Sequence, residues 1–335
     1  MTVKEISLID RVGRSEIISL LLVVVLLLVP LVTANAAIIS LLTQIMIALM
    51  GALSVYLMLR MNLMTFAVPA FMAAGGYCAA ILSVNYNITN VIALAALSFL
   101  VPMLAALPIG LLVLRLRGVY FVLVTFVIAE IMPLVLFETP SFTGGSNGIS
   151  GLPAMTFLGV SIEANGDILL VAIVLAIVAV LITICTTRYY RHQFDSIKEN
   201  EVLAQSLGLA VWHYKVLGFC IAAGLAGFGG FCLVEMLITA HPSSFQAISS
   251  VNYVAYAVVG GQNLLLGAIV GSAVLVWASN LFSFQGELSQ ALFGILLMIS
   301  VLFTKGGIVG VIQDLLRRLR KDSSLLIAQS RGVKA

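Results

Sequence analysis

Residues 167–191 read DILLVAIVLAIVAVLITICTTRYYR. About twenty apolar or small residues in succession suffice for a helix to cross a ~30 Å hydrocarbon core. The run ends at Arg188 and Arg191, and basic residues resist translocation, so this end belongs on the cytoplasmic side. The pattern repeats along the chain. Apolar stretches at 17–33, 37–59, 63–84, 91–114, 118–138, 167–187, 214–238, 251–262, 264–283 and 288–304 are separated by polar breaks. The breaks at 85–90, 138–167, 239–250 and 284–288 contain no Lys or Arg, whereas Arg60, Arg115, Arg117, Arg188, Arg191, Lys198, Lys215 and Lys305 fall in or beside other breaks. Basic and non-basic breaks alternate. The expectation is an all-α polytopic membrane protein of about ten transmembrane helices, with both termini cytoplasmic.

Composition agrees. Hydrophobic residues make up 61 % of the chain and charged residues 9 %, against about a quarter charged in soluble domains. No polar break is long enough to bury a core of its own. Residues 1–335 are therefore read as one membrane domain, with 1–16 and a tail over 305–335 in the cytoplasm and 17–304 in the membrane region. The net charge of +3 is no argument for nucleic acid as a partner. Its excess falls in short loops and in the tail from Arg317, where anionic membrane lipid accounts for it. At the amino terminus, Lys4, Arg11 and Arg14 precede an apolar run that is too long for a secretory signal core of roughly 7–15 residues, so it is read as an uncleaved first span. Cys78, Cys185, Cys220 and Cys232 lack metal-ligand spacing and read as small buried apolar residues. His192, His213 and His241 form no cluster, and no metal site is expected.

Two of the ten stretches are irregular. Segment 63–84 carries Pro69 and Gly75-Gly76, and segment 251–262 is too short for a full span and ends in Gly260-Gly261-Gln262-Asn263. Both read as broken or short helices, which belong in the protein interior or along a water-filled path because freed backbone groups cannot face lipid. One is entered from inside and the other from outside, as two inverted halves around a path would have it. Only Glu130 and Glu235 place carboxylates well within the spans. An ionised carboxylate at that depth costs at least ~2.5–3.5 kcal/mol, so Glu130 is expected to face the bundle interior. Glu235, near an outer end, is expected to reach water.

The best-defined polar element is Asp195 to Gly208. Ser196 and Glu199 have capping-box spacing, and Gly208 suits a left-handed stop. One cytoplasmic helix over 195–208 is expected, a shape that suits docking into a groove on another protein. The chain has no Gly-Lys pair and hence no phosphate loop, so any nucleotide site lies on another subunit. No nucleophile–base pairing marks an enzyme. Ion-coupled carriers commonly place titratable clusters at the midplane, and one isolated glutamate makes a stand-alone secondary transporter the weaker alternative. A docking helix on a chain without a nucleotide site points to an ATP-driven permease.

Three blocks carry a family resemblance: Arg115-Leu116-Arg117-Gly118-Val119-Tyr120-Phe121-Val122-Leu123-Val124-Thr125 through Ala129-Glu130-Ile131; Thr143-Gly144-Gly145-Ser146-Asn147-Gly148-Ile149-Ser150-Gly151-Leu152-Pro153; and Ile197-Lys198-Glu199-Asn200-Glu201 through Ser206-Leu207-Gly208. With them the chain resembles the M-type permease of branched-chain amino acid (Liv-type) ABC importers of the bacterial inner membrane. The resemblance covers most of residues 45–307. It implies a complex with a second related permease, two cytoplasmic ABC ATPases that carry ATP and Mg, and a periplasmic substrate-binding protein, with no cofactor on this chain. It places the third block in the family's coupling loop, while the glycines of the second are expected to serve tight outer-loop turns. The implied cargo is branched-chain or other hydrophobic amino acids, with urea, short amides or aromatic carboxylates as alternatives carried by related systems. Met61-Asn62-Leu63-Met64-Thr65-Phe66 departs from the family's Gly-His-containing approach, which leaves the cargo open. The residues expected to couple to the ATPases are Glu199, Asn200, Glu201, Leu207 and Gly208. Those expected along the path are Thr65, Phe66, Pro69, Tyr120, Thr125 and Glu130.

Overall fold

The computed structural model describes residues 13, 16–28, 35–157, 159–162, 164–282, 294, 295, 298, 307, 309 and 310. Its helices are α1 (Glu16–Val25), α2 (Ala36–Leu59), α3 (Val68–Tyr86), α4 (Val91–Val113), α5 (Val119–Phe137), α6 (Asn165–Tyr189), α7 (Arg191–Glu199), α8 (Glu201–Ser206), α9 (Val211–Leu237), α10 (Ser249–Gly261) and α11 (Leu265–Phe282). Seven of them, α2 to α6 together with α9 and α11, are long and apolar enough to cross a membrane. Local chemistry starts two of these. Asn35 accepts from the Ala37 amide at 3.0 Å at the head of α2, and Asn90 accepts from Ile92 at 2.9 Å at the head of α4, which satisfies amides that have no partner in the first turn.

The centre of the bundle is α9, the most enclosed of the seven, packed against α2, α3 and α4. Small residues permit this. A Cβ on Gly230 would lie 1.8 Å from the Met72 carbonyl oxygen of α3, so the two backbones touch directly. Without a hydrophobic drive between helices in lipid, such close approach is what holds neighbours together. Likewise α10 and α11 form a tight hairpin, in which a Cβ on Gly260 would lie 1.7 Å from the Gly267 carbonyl.

The two ends of the bundle differ. At one, the α2, α6 and α10 C-termini meet the α5 and α9 N-termini and the short helices α7 and α8, through contacts of Arg60, Arg117, Arg188, Lys198 and Lys215. At the other, strand β1 (Ile149–Ser150) pairs with β4 (Thr239–Ala240), and β2 (Met155–Phe157) forms a hairpin with β3 (Val160–Ile162). There the His241 Nε2 donates to the Ser146 carbonyl at 2.9 Å and Thr89 bonds Thr156 at 3.0 Å. Glycine suits position 148 twice over, because its φ is +63° and because a Cβ there would sit 2.4 Å from the Ala240 oxygen. The alternation of basic and non-basic breaks thus corresponds to two physical ends.

Several expectations change. Segment 63–84 is not a broken helix: residues 63–67 form an irregular approach and α3 is continuous from Val68. Pro69 sits in the first turn, where a missing amide costs nothing, and Gly75 and Gly76 are contact points for α9 rather than a break. Segment 251–262 is short as expected, spanning thirteen residues in α10. The first stretch is described as α1 followed by one 3₁₀ turn, Leu26–Leu28. Most of the stretch 288–304, most of the tail and residues 1–12 lie outside the described residues. Cys220 and Cys232 are buried, but Cys185 is exposed on the side of α6.

Candidate functional site

The single helix expected over 195–208 is two helices. α7 begins at Arg191 and ends at Glu199; Asn200 then adopts an extended φ of −157° and its side chain accepts from the Leu203 amide at 3.0 Å, starting α8. The capping box does not form. Ser196 lies inside α7, where its hydroxyl donates to the His192 carbonyl at 2.7 Å. An asparagine N-cap competes well with helix continuation, since it satisfies the Leu203 amide in the first turn of α8, four residues beyond the one Ser196 would serve as a cap. Asn200→Ala should cost about 1 kcal/mol of local helix stability, read as faster amide exchange over 201–206.

This helix pair is fastened to the bundle. Asp195 takes Arg60 at the end of α2 at 2.6 Å, with Arg191 at 3.7 Å. Lys198 donates to Asn263, in the α10–α11 turn, at 2.8 Å. Glu201 lies 2.7 Å from the Lys215 Nζ of α9 and 3.4 Å from Arg117 at the head of α5. Lys215 is only 1 % exposed, and Glu201 is the carboxylate that pairs with it. Four elements of the bundle therefore feel any displacement of α7 and α8. Phe194, Ile197 and Ala204 anchor the underside in apolar contact.

The expected coupling residues separate into two groups. Glu199 and Leu207 are exposed, Leu207 at 81 %, and Gly208 stops α8 with a φ of 90° beside open space. Asn200 is exposed but acts as the cap, and Glu201 faces inward as the ion-pair hub. Sequence reasoning missed the partners Arg117, Lys215 and Asn263. Arg117 and Lys215 stand out in the sequence only as charges that fix orientation, and no local signal announces a pair separated by that much chain.

The expected path residues separate as well. Thr65, Pro69 and Thr125 are buried, and the Phe66 amide donates to Thr125 Oγ1 at 3.2 Å while the Phe66 and Phe126 rings meet edge-on at 6.1 Å. These residues form a joint between the α3 approach and α5. Tyr120 and Glu130 lie elsewhere, on an exposed stripe of α5 with Leu123, Val127 and Leu134. The spacing of three and four residues keeps that stripe on one helical face. The interior position expected for Glu130 is thus wrong for the single chain, since its helix turns Phe121, Thr125 and Ala129 inward instead. Glu235 is the reverse case: rather than reaching water it is 7 % exposed, enclosed by the bundle around α9.

The family model described as branched-chain amino acid transport system / permease component matches residues 37–301. The chain is 27 % identical over 298 residues to the high-affinity branched-chain amino acid transport system permease protein LivM of Salmonella typhimurium, covering 82 % of this chain and 68 % of that protein. It is 27 % identical over 295 residues to LivM of Escherichia coli K12, covering 81 % of this chain and 69 % of that protein. No solved structure matches the chain significantly.

Proposed function

The chain belongs to the family of permease components of branched-chain amino acid transport systems, and from that premise we propose that it forms one half of the translocation path of an ATP-driven importer, completed by a second permease. It is a multi-pass protein of the bacterial inner membrane, and a transporter rather than an enzyme. In the proposed assembly the basic end faces the cytoplasm, two ATPases holding ATP and Mg dock there, and a periplasmic binding protein delivers cargo to the β-strand end. About ten crossings, counting α1, α10 and the stretch 288–304, complete the membrane region. The proposed cargo is a branched-chain or other hydrophobic amino acid, as the names of the LivM relatives indicate for those proteins.

The observation that carries this reading is Glu130 on the exposed stripe of α5. Facing lipid, its carboxylate would cost at least ~2.5–3.5 kcal/mol. Covered by a second permease across a water-filled path, it costs far less. Tyr120, Leu123 and Val127 then present a mostly apolar wall with one polar group, suited to passing a small amphipathic solute without holding it. The buried Thr65 and Thr125, with the half-buried Phe66, support that wall from behind. Drive reaches it through α7 and α8. The exposed Glu199 and Leu207 meet the ATPase, while Glu201, through Arg117, ties the moving pair to the head of α5.

The coupling half of the proposal is tested by Glu199→Arg combined with Leu207→Asp. Both residues are exposed and outside the ion pairs, so protein level in the membrane should hold while ATP-driven uptake by the full complex falls by a factor of ten or more, the equivalent of ~1.4 kcal/mol of lost docking. Unchanged uptake and unchanged ATPase stimulation would sink the docking assignment.

A further inference from the structure

A cavity of about 350 Å³ lies at the basic end, between the head of α1, the ends of α2 and α6, the start of α7 and the α10–α11 turn. Its size falls in the range of small-ligand sites, ~300–1,000 Å³. Arg60, Arg188 and Arg191 line it, with Glu16 and Asp195 as the facing carboxylates and Tyr56, Thr187 and Asn263 as neutral polar groups. Arg188 pairs with Glu16 at 2.5 Å and Arg60 with Asp195 at 2.6 Å. Arg191 has only the already engaged Asp195, at 3.7 Å.

The charges do not balance. Lys198, bonded to the lining residue Asn263, adds a fourth cation to the three arginines, against two carboxylates. Burial and the neighbouring Arg60 charge push the Lys198 ammonium below its ordinary value, with Asp195 opposing. The Nε of Arg60 is buried and makes no hydrogen bond. Unspent donors and surplus positive charge in one half-enclosed space call for an anion with several acceptor oxygens, and a phosphate is the group that arginine forks match. The cavity lies where spanning helices end, and basic pockets between spanning helices are suited to anionic headgroups.

We infer that this cavity holds the phosphate of an anionic phospholipid of the cytoplasmic leaflet, tying it to Asp195 and Arg191 of the helix pair that receives the ATPases. The leaflet rests on the orientation proposed above; the binding itself does not.

Native mass spectrometry of the full chain, released from nanodiscs of phosphatidylglycerol or of phosphatidylcholine, reads occupancy without depending on transport. Retention of phosphatidylglycerol over phosphatidylcholine is expected, weakened about fivefold by Arg191→Gln, since one arginine near a headgroup supplies that much. Arg60→Gln should weaken it further; if that variant fails to fold, the more exposed Arg191 carries the test. Arg115→Gln, a basic residue outside the cavity, is the control and should leave retention intact. Equal retention of the two lipids, or an Arg115→Gln loss as large as that of Arg191→Gln, overturns the proposal. A parallel titration with inorganic phosphate separates the sources: saturable binding as tight as that of the lipid would overturn the phospholipid assignment in favour of a free phosphate ligand.

Discussion

Gly230→Ala should remove nearly all folded protein from the membrane, whereas Gly229→Ala, one residue away, should be tolerated. At Gly230 the new Cβ would lie 1.8 Å from the Met72 oxygen and 2.5 Å from its carbonyl carbon. Those are backbone atoms, so α3 and α9 must part along their contact. Overpacking against movable side chains already costs ~1–3 kcal/mol, and here the obstacle cannot rotate away, which puts the expected loss at or above the top of that range. At Gly229 the nearest atom is the Met72 methyl at 3.2 Å, the far end of a flexible chain. Size-exclusion profiles of tagged variants in detergent separate the cases. If the two alanines behave alike, the α3–α9 contact is not the backbone contact described.

Glu201→Leu should be the second most damaging change. It leaves Lys215, which is 1 % exposed, with no carboxylate within reach among the described residues. Removing one partner of a buried pair typically costs ~3–5 kcal/mol, and the low end applies because the glutamate side chain is itself 27 % exposed. The discriminating variant is Glu201→Leu together with Lys215→Met. Two apolar groups of similar length often pack as well as the ion pair did, so the thermal midpoint should recover most of the loss. Additive losses in the double variant would mean that the two residues do not depend on one another. Glu201 is therefore a poor choice for probing the docking surface, which is why Glu199 and Leu207 carry that test: a reversal at Glu201 would confuse a lost fold with a lost partner.

Much of the architecture is legible in the sequence. The helix boundaries of α2, α4, α5, α6 and α11 fall within a few residues of the apolar stretches, because in lipid every backbone group must be satisfied within the helix and the length of the apolar run sets the length of the span. Misreadings cluster where a short-range rule has a rival. The proline of α3 reads as a break although a first-turn proline is harmless, and the helix pair reads as one helix although Asn200 is as good a cap as Ser196. A missed signal was present as well. Gly227 and Gly230, and Gly267 with Gly271 four residues on, are small residues at helical spacing, which marks close helix contacts in membranes.

The candidate site was legible as a region and not as an arrangement. Residues 195–208 are distinctive because polar sequence is scarce in this chain, so the element proposed to meet partners could be found without coordinates. Which of its residues point outward could not, since Glu199 and Glu201 differ only in what lies beneath them. The sequence by itself determined the membrane class, most of the spans, the two ends and the polar segment proposed to meet partners, all of which follow from local hydropathy and charge. Only the tertiary structure decided that Glu235 is enclosed while Glu130 lies exposed, that Lys215 rests on Glu201, and that Arg60 shares one cavity with Arg188 and Arg191 from a distant segment. The physical reason is that lipid is as apolar as leucine: inward and outward faces of a spanning helix are similarly apolar, so burial leaves no period in hydropathy for the sequence to show.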